Sequence, residues 1–111
     1  MYYIYMLRCE DNSLYTGITT DIKRRFSEHK NKSPQCANYT KTHNVLSVEA
    51  LFETAERGEA LRLEYLIKKL TKQQKEYSIA DANLIFKIYS EKLDRAKYKI
   101  YDKNAILNML K

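Results

Sequence analysis

The chain has 111 residues, the length of one domain, and its 20 Lys and Arg against 14 Asp and Glu give a net charge of +6, which favours a polyanionic partner, most often nucleic acid. With 44% hydrophobic and 31% charged residues, the composition is that of a soluble globular protein rather than a disordered one. Two cysteines cannot build a disulfide framework, and no segment resembles a signal peptide or a membrane span, so we expect a cytoplasmic protein that does not enter membranes.

The first predicted element is an antiparallel hairpin. Residues 2–9 (YYIYMLRC) and 14–18 (LYTGI) are rich in types that favour strands, and the turn-forming residues 10–13 separate them. Because side chains alternate between the faces of a strand, a loop with an odd number of residues would place Tyr5 and Tyr15 together on the outer face. The core face would then carry Ile4, Met6, Leu14 and Ile18. Two ordinary strand tyrosines are the alternative interpretation.

A short basic helix is predicted next, at residues 21–30, where Thr20 and Asp21 are suitable N-caps. Arg25 and His29 are four residues apart and therefore share one helix face. A guanidinium can clamp a phosphate with two parallel hydrogen bonds, and a neutral imidazole can accept a proton near neutral pH. A solvated basic surface is the competing interpretation.

The middle of the chain alternates between polar and apolar segments. Residues 31–43 are polar and aperiodic, which predicts a surface loop, and residues 45–53 (VLSVEALFE) predict a third strand. Thr54 can cap a long helix that runs to about Leu70. Thr71 opens a capping-box pattern (TKQQ), which predicts a further helical turn.

Glu64 is the candidate metal ligand of that long helix. It lies beside the apolar stripe, and Lys68 follows it by four residues. Mg²⁺ often takes a single carboxylate together with water and phosphate oxygens, so one acid at such an edge can be enough. An ordinary surface ion pair with Lys68 is the alternative.

Residues 78–111 have helical spacing of apolar residues between Leu84 and Leu93, and Asp102 can cap a last helix. These helices could pack on the domain, follow a nucleic-acid backbone, or pair with another copy or a protein partner. The element order predicts an α+β fold with a small three-stranded antiparallel sheet flanked by helices. Residues 1–77 would form the main domain, and residues 78–111 a helical extension packed on it or appended to it.

The ordered set of motifs resembles the GIY-YIG nuclease family. YIY at 3–5 resembles the GIY tripeptide, and YTG at 15–17, with its motif glycine, resembles YIG after a gap of nine residues. Arg25 in TDIKRRFSEHK is similar to the arginine of the family's first helix, and Glu64 in ALRLEYLIKKLTKQQK is similar to its metal-binding glutamate. The best match is to small stand-alone bacterial members, which are similar to the nuclease domain of Slx-type endonucleases.

The resemblance covers about residues 2–77, and it has two departures inside the motifs. Tyr3 stands where the family usually has glycine, and Thr16 replaces an isoleucine. We find no counterpart of the asparagine that some members carry after the glutamate, and residues 78–111 match nothing in the family.

The resemblance implies metal-dependent hydrolysis of phosphodiester bonds in DNA, in repair or recombination. Glu64 would hold one Mg²⁺ or Mn²⁺ ion, and Arg25 would stabilise the charge on the phosphate. Tyr5 would accept the proton and Tyr15 would orient the water or the phosphate, or the two roles would be exchanged. His29 would share the proton relay or bind phosphate. Gly17 would be the structural glycine of the motif, and further nucleic-acid contacts are expected from Lys23, Arg24, Tyr39, Lys41 and Lys68.

Two other functions remain open from the sequence. A nucleic-acid-binding module with the same fold but weak or no catalysis would explain the irregular first tripeptide. An interaction protein would use residues 78–111 to bind a protein partner or to form a homodimer.

Overall fold

A four-stranded antiparallel sheet is the centre of the fold, seen in a computed structural model that describes residues 1–111. In chain order the elements are β1 (Tyr2–Cys9), β2 (Leu14–Thr19), α1 (Ile22–Lys30), α2 (Asn38–Thr42), β3 (Val45–Thr54), α3 (Arg57–Lys68), α4 (Lys72–Ala80), α5 (Asn83–Ile88), a 3₁₀ helix (Arg95–Lys97), β4 (Lys99–Tyr101) and α6 (Lys103–Met109). The strands lie in the order β2-β1-β3-β4. The predicted α+β class is confirmed, but the sheet has four strands instead of three.

The loop of the β1–β2 hairpin decides between the two parities that the sequence left open. Tyr5 pairs with Gly17, Leu7 pairs with Tyr15, and the loop between the last paired residues spans positions 9–13. Because this loop has an odd number of residues, Tyr5 and Tyr15 lie on the same face of the sheet.

Each face of the sheet has its own apolar cluster. The cluster under α3 and α5 receives Ile4 and Met6 from β1, and its other fully buried members include Phe52, Leu63, Ile67 and Ile85. The cluster under α1 and α6 receives Tyr5 and Leu7 from β1, together with Ile22, Leu51 and Ile106. The alternation along β1 therefore supplies both cores, and neither face of the hairpin is an outer face.

Three of the predicted helix caps are confirmed. The side chains of Asp21, Thr71 and Asp102 each accept a hydrogen bond from a backbone N–H three residues later. At Thr71 the capping box is complete, because the Gln74 side chain accepts from the backbone N–H of Thr71.

The predicted start of the long helix is wrong. Thr54 still pairs with Tyr2 in the β1–β3 ladder, so its backbone is extended and cannot begin a helix. α3 starts at Arg57 after Glu56, and it ends at Lys68. The predicted loop 31–43 is also incomplete, since it contains the short helix α2.

Residues 78–111 pack against the rest of the chain. α5 ends at Ile88, so the helical spacing beyond it does not form one continuous helix, although Leu93 still reaches the core. β4 pairs with β3 and supplies the fourth strand. The division into a domain 1–77 and an extension 78–111 stays a prediction. No helix combines the length and apolarity that crossing a membrane requires.

Candidate functional site

The centre of the candidate site is a hydrogen bond between β1 and α1. The Tyr5 Oη atom lies 2.9 Å from Nε2 of His29. Neither side chain reaches solvent, with 1% of Tyr5 and 0% of His29 exposed. Tyr5 lies on this face because side chains alternate along β1. His29 lies on the face of α1 that packs on the sheet.

The expectation that Tyr5 lies on an outer face is therefore wrong. α1 and α6 cover that face of the hairpin, and long-range packing of this kind leaves no mark on the strand pattern itself. Burial raises the pKa of Tyr5 far above its usual value, and the charges of Tyr15 and Glu64 add to this effect while Arg25 opposes it. Tyr5 is a neutral phenol at neutral pH.

His29 is held in its neutral form. Burial lowers its pKa to about 4, and the nearby charge of Arg25 lowers it further while Glu28 opposes this. Its second ring nitrogen, Nδ1, lies 2.7 Å from the hydroxyl of Thr40 on α2. A neutral imidazole between two hydroxyls can accept a proton from one of them.

Tyr15 lies beside this pair and is only half-buried. Its ring centroid is 6.5 Å from that of Tyr5 and 5.5 Å from that of His29. Tyr39 of α2 stacks on Tyr15 with centroids 5.6 Å apart, and His43 stacks on Tyr39 at 3.9 Å. A row of aromatic rings therefore runs from the buried pair toward the surface.

Arg25 points toward the same region and keeps 22% of its side chain exposed. It donates hydrogen bonds to Glu28 at 3.0 Å and to the Gln35 carbonyl. Its positive charge lowers the pKa of both Tyr5 and Tyr15, which shows that the guanidinium acts on both phenols. A phosphate placed at Tyr15 would therefore face a cation.

Glu64 comes from α3, which packs against the other face of the sheet and against the edge strand β2. Its carboxylate nevertheless raises the pKa of Tyr5 and of Tyr15, so it is within electrostatic range of both. Its only ionic partner is Lys68 at 3.5 Å, and this lysine is half-exposed. The two phenols thus lie within electrostatic range of both Arg25 and Glu64.

The donor set can be tested for its fit to a metal ion. No group of three or more His, Cys, Asp or Glu side chains is arranged as a ligand cluster. Glu64 is a single carboxylate with 17% of its side chain exposed. A hard cation that keeps most of its water fits such a site, whereas zinc, which needs three or four protein ligands, does not.

Gly17 provides the space that Tyr5 occupies. A Cβ atom at Gly17 would lie 2.5 Å from Cζ of Tyr5, closer than such atoms approach each other. Gly17 needs no unusual backbone conformation, since no glycine of the chain has a positive φ. The motif glycine is therefore required by close packing and not by a turn.

The other predicted nucleic-acid contacts are spread more widely. Tyr39 joins the aromatic row and Lys68 touches Glu64, so these two lie at the site. Lys23 donates to the carbonyl of Lys111, and Arg24 forms long ion pairs on the outer side of α1. Lys41 is exposed on α2.

Sequence reasoning missed two residues near this edge. Thr40 was not singled out, because a threonine in a polar segment carries no periodic signal. Lys75 is half-buried and has no hydrogen-bond or ionic partner, and burial together with the positive charges of Lys72 and Lys68 lowers its pKa. Together with Lys72 it lines a cleft of about 400 Å³ along the β1–β2 turn. Leu14, another lining residue, directly precedes Tyr15.

The fold is that of a family of nuclease domains. Residues 1–78 match the family model described as the GIY-YIG catalytic domain, and the chain belongs to this family. The family is one of endonucleases that generally use divalent metal ions, so the expected resemblance is confirmed and a nucleic-acid substrate follows from it.

The chain is also similar to bacterial proteins named UPF0213. It is 44% identical over 86 residues to UPF0213 protein FN1575 of Fusobacterium nucleatum, covering 78% of this chain and 84% of the relative. It is 47% identical over 79 residues to a UPF0213 protein of Cronobacter sakazakii, covering 71% and 81%. The solution NMR structure of UPF0213 protein BH0048 from Bacillus halodurans is 30% identical, covers 80% of this chain and 98% of that one, and has a TM-score of 0.44.

Proposed function

We propose that this protein is a metal-dependent endonuclease that hydrolyses phosphodiester bonds in DNA. The observation that carries the proposal is the Tyr5–His29 hydrogen bond, with the half-buried Tyr15 beside it and the charges of Arg25 and Glu64 acting on both phenols. A proton acceptor, a cation and a carboxylate are groups that in-line attack on a phosphodiester uses.

The buried pair would accept the proton of the attacking water. As the water forms its bond to phosphorus, its proton passes to the Tyr5 oxygen, and the phenol's own proton passes to Nε2 of His29. Tyr5 then never becomes a free phenolate, which its raised pKa makes costly. The proton lies on His29 only transiently, because the lowered pKa of the ring favours its release, and it returns to solvent after the bond to the leaving oxygen has broken.

The other residues of the site would bind and orient the phosphate. Arg25 would exchange its bond to Glu28 for the non-bridging oxygens, where negative charge grows in the transition state. Tyr15 would orient the water or the phosphate from the half-buried end of the aromatic row. Glu64 would hold one Mg²⁺ or Mn²⁺ ion, which when bound supplies Lewis-acid stabilisation of the phosphate and the leaving group.

Nucleic acid would bind along the edge of the sheet. Tyr39 and Lys68 border the site, and the unpaired Lys75 offers a further cation for a backbone phosphate at the neighbouring cleft. Lys23, Arg24 and Lys41 would serve as peripheral contacts. We place this activity in the cytoplasm, and in repair or recombination, where branched substrates occur.

The test is cleavage of matched branched, flapped and plain duplex DNA, with RNA versions of each, in Mg²⁺, Mn²⁺ or EDTA. We expect metal-dependent cleavage with a preference for the branched DNA. Glu64→Gln should reduce the rate by about 10³-fold or more, since it removes the only proposed metal ligand. Glu91→Gln makes the same charge change at an exposed tail position and should leave the rate unchanged.

Each result of this panel separates two functions. Wild-type protein that binds DNA but cleaves nothing would contradict the nuclease proposal and favour the binding module. Cleavage of RNA alone would contradict the DNA assignment, and cleavage by Glu64→Gln at the wild-type rate would remove the metal role of this residue.

A further inference from the structure

A three-residue hydrogen-bond chain crosses the interior between α2 and β1. The Thr40 hydroxyl lies 3.0 Å from the carbonyl oxygen of Ala37 and 2.7 Å from Nδ1 of His29. Nε2 of the same ring lies 2.9 Å from the Tyr5 hydroxyl. Thr40, His29 and Tyr5 are all fully buried, so water cannot replace a missing hydrogen-bond partner.

The number of hydrogens on these three side chains decides the direction of the hydrogen-bond chain. The Thr40 hydroxyl, the Tyr5 hydroxyl and the neutral His29 ring each bring one hydrogen. With the ring hydrogen on Nδ1, Tyr5 donates to Nε2, Nδ1–H donates to Thr40, and Thr40 donates to the Ala37 carbonyl. Every buried donor then has an acceptor.

The opposite direction leaves a donor unsatisfied. With the ring hydrogen on Nε2, this N–H would point at the Tyr5 oxygen, and the phenol hydrogen would need another acceptor. Apart from His29, the Tyr5 hydroxyl has no hydrogen-bond partner, and the guanidinium of Arg25, which acts on it, can only donate. A buried hydroxyl without an acceptor is costly and rare in native proteins.

We propose that Thr40 is a positioning residue that fixes the Nδ1–H tautomer of His29 and thereby keeps Nε2 free to take the proton of Tyr5. The role depends on the nuclease reaction proposed above, but the tautomer itself does not. Thr40 touches neither substrate nor metal and acts only through His29. The ionisable groups around the ring are Tyr5 on β1, Tyr15 on β2, and Arg25 and Glu28 on α1.

The tautomer can be measured directly by ¹⁵N NMR of the ring nitrogens. The chain has two histidines, so a His43→Gln background leaves His29 as the only imidazole signal. In that background we expect Nδ1 to be protonated and Nε2 unprotonated at neutral pH. Thr40→Ser keeps the hydroxyl and should keep this pattern. Thr40→Val removes the acceptor of Nδ1–H, so each tautomer then leaves one buried donor unsatisfied, and the Nε2–H form should become populated.

Cleavage by the same Thr40 variants in the otherwise native chain tests the consequence for the reaction. Thr40→Val should lower kcat by about 10- to 100-fold with KM nearly unchanged, the range expected when a general base is misaligned. Thr40→Ser should stay close to wild type. Thr42→Val, a matched change at an exposed position of the same helix, should leave both the tautomer and kcat unchanged.

The outcomes separate this inference from the proposed function. An Nε2–H tautomer in the protein with native Thr40 would overturn the inference, and so would an unchanged tautomer in Thr40→Val. Equal loss of kcat in Thr40→Ser and Thr40→Val would also contradict it, because packing and not the hydroxyl would then matter. A chain that cleaves nothing would contradict the nuclease proposal, and the ring nitrogens would still decide the tautomer.

Discussion

Tyr5 and Tyr98 are both buried tyrosines with raised pKa values, one in each apolar cluster of the protein. Tyr98 has 4% of its surface exposed, and its hydroxyl donates to the Glu59 carboxylate at 2.9 Å. That acceptor is also paired with Arg62, so Tyr98 ties the tail to α3 by a fixed contact. Tyr5 donates to the ring of His29, which burial holds in its neutral form.

The difference lies in the acceptor and in the surroundings. Next to Tyr98, a carboxylate held by Arg62 makes a static bond. Tyr5 is bonded to an imidazole, and the charges of Arg25 and Glu64 act on it. Burial of a tyrosine therefore does not mark a functional site by itself, and the bond to a neutral base is the feature on which we base the proposal for Tyr5.

The largest effect on the cleavage rate is expected when each of these two tyrosines is replaced by phenylalanine, and this replacement tests the comparison. Tyr5→Phe should lower the cleavage rate by about 10²- to 10³-fold, because it removes the group that passes the proton to His29. Tyr98→Phe should leave the rate unchanged. Both variants remove one buried hydrogen bond, so each should lose about 1–3 kcal/mol in the free energy of unfolding by urea. Equal cleavage rates in the two variants would contradict the relay.

The free energy of unfolding should respond to acid through His29 and through Glu76 over different pH ranges. The pKa of His29 falls from 6.5 in the unfolded chain to about 4 in the fold, so the unfolded state binds a proton first as the pH drops. The free energy of unfolding should therefore fall between pH 6.5 and 4, by on the order of 3 kcal/mol in total. Glu76, bonded to Arg8, has a pKa lowered to about 2 and loses its contribution only below pH 4.5.

Urea unfolding at several pH values measures this slope. His29→Gln should flatten the curve between pH 6.5 and 4, while His43→Gln, at the partly exposed second histidine, should keep it. A slope that survives in His29→Gln would assign the acid sensitivity to another group.

The two glycines of the chain differ in the space available for a larger side chain. An alanine at Gly17 would push its Cβ into the Tyr5 ring, which is backed by His29 and cannot move freely. We expect Gly17→Ala to lose about 1–3 kcal/mol in unfolding free energy and to lower cleavage with it. At Gly58, in α3, a Cβ meets nothing within 4 Å, so Gly58→Ala should be neutral or stabilise the helix by up to about 1 kcal/mol. The opposite ranking would show that Tyr5 tolerates displacement.

Local patterns in the sequence were enough for much of the fold. The two hairpin strands and the caps at Asp21, Thr71 and Asp102 depend on a few neighbouring residues, and the sequence predicted them correctly, whereas it left the parity of the hairpin loop open. The start of α3 failed because Thr54 is held in the sheet by pairing with Tyr2, a contact between distant parts of the chain. β4 failed because three residues are too few to show alternation.

Local patterns in the sequence also indicated part of the candidate site. The face shared by Tyr5 and Tyr15 follows from strand alternation, and the approach of Glu64 to both follows from the family resemblance alone. The burial of Tyr5 could not be foreseen, since α6, which comes from the far end of the chain, covers part of that face. Thr40 acts through one hydrogen bond, which no spacing rule reveals.

The smallest expected effect concerns an unpaired lysine of the cleft at the β1–β2 turn. Lys75 lines this cleft and is half-buried without an anionic partner, whereas Lys87 is exposed on α5, also without a partner. If Lys75 contacts a phosphate, Lys75→Gln should weaken DNA binding a few-fold. It should also reduce the slope of log affinity against log salt by about 1, since one fewer counterion is released. Lys87→Gln removes the same charge and should change both quantities much less. Binding measured in EDTA keeps this test independent of cleavage, and equal slopes in the two variants would mean that the cleft does not hold the backbone.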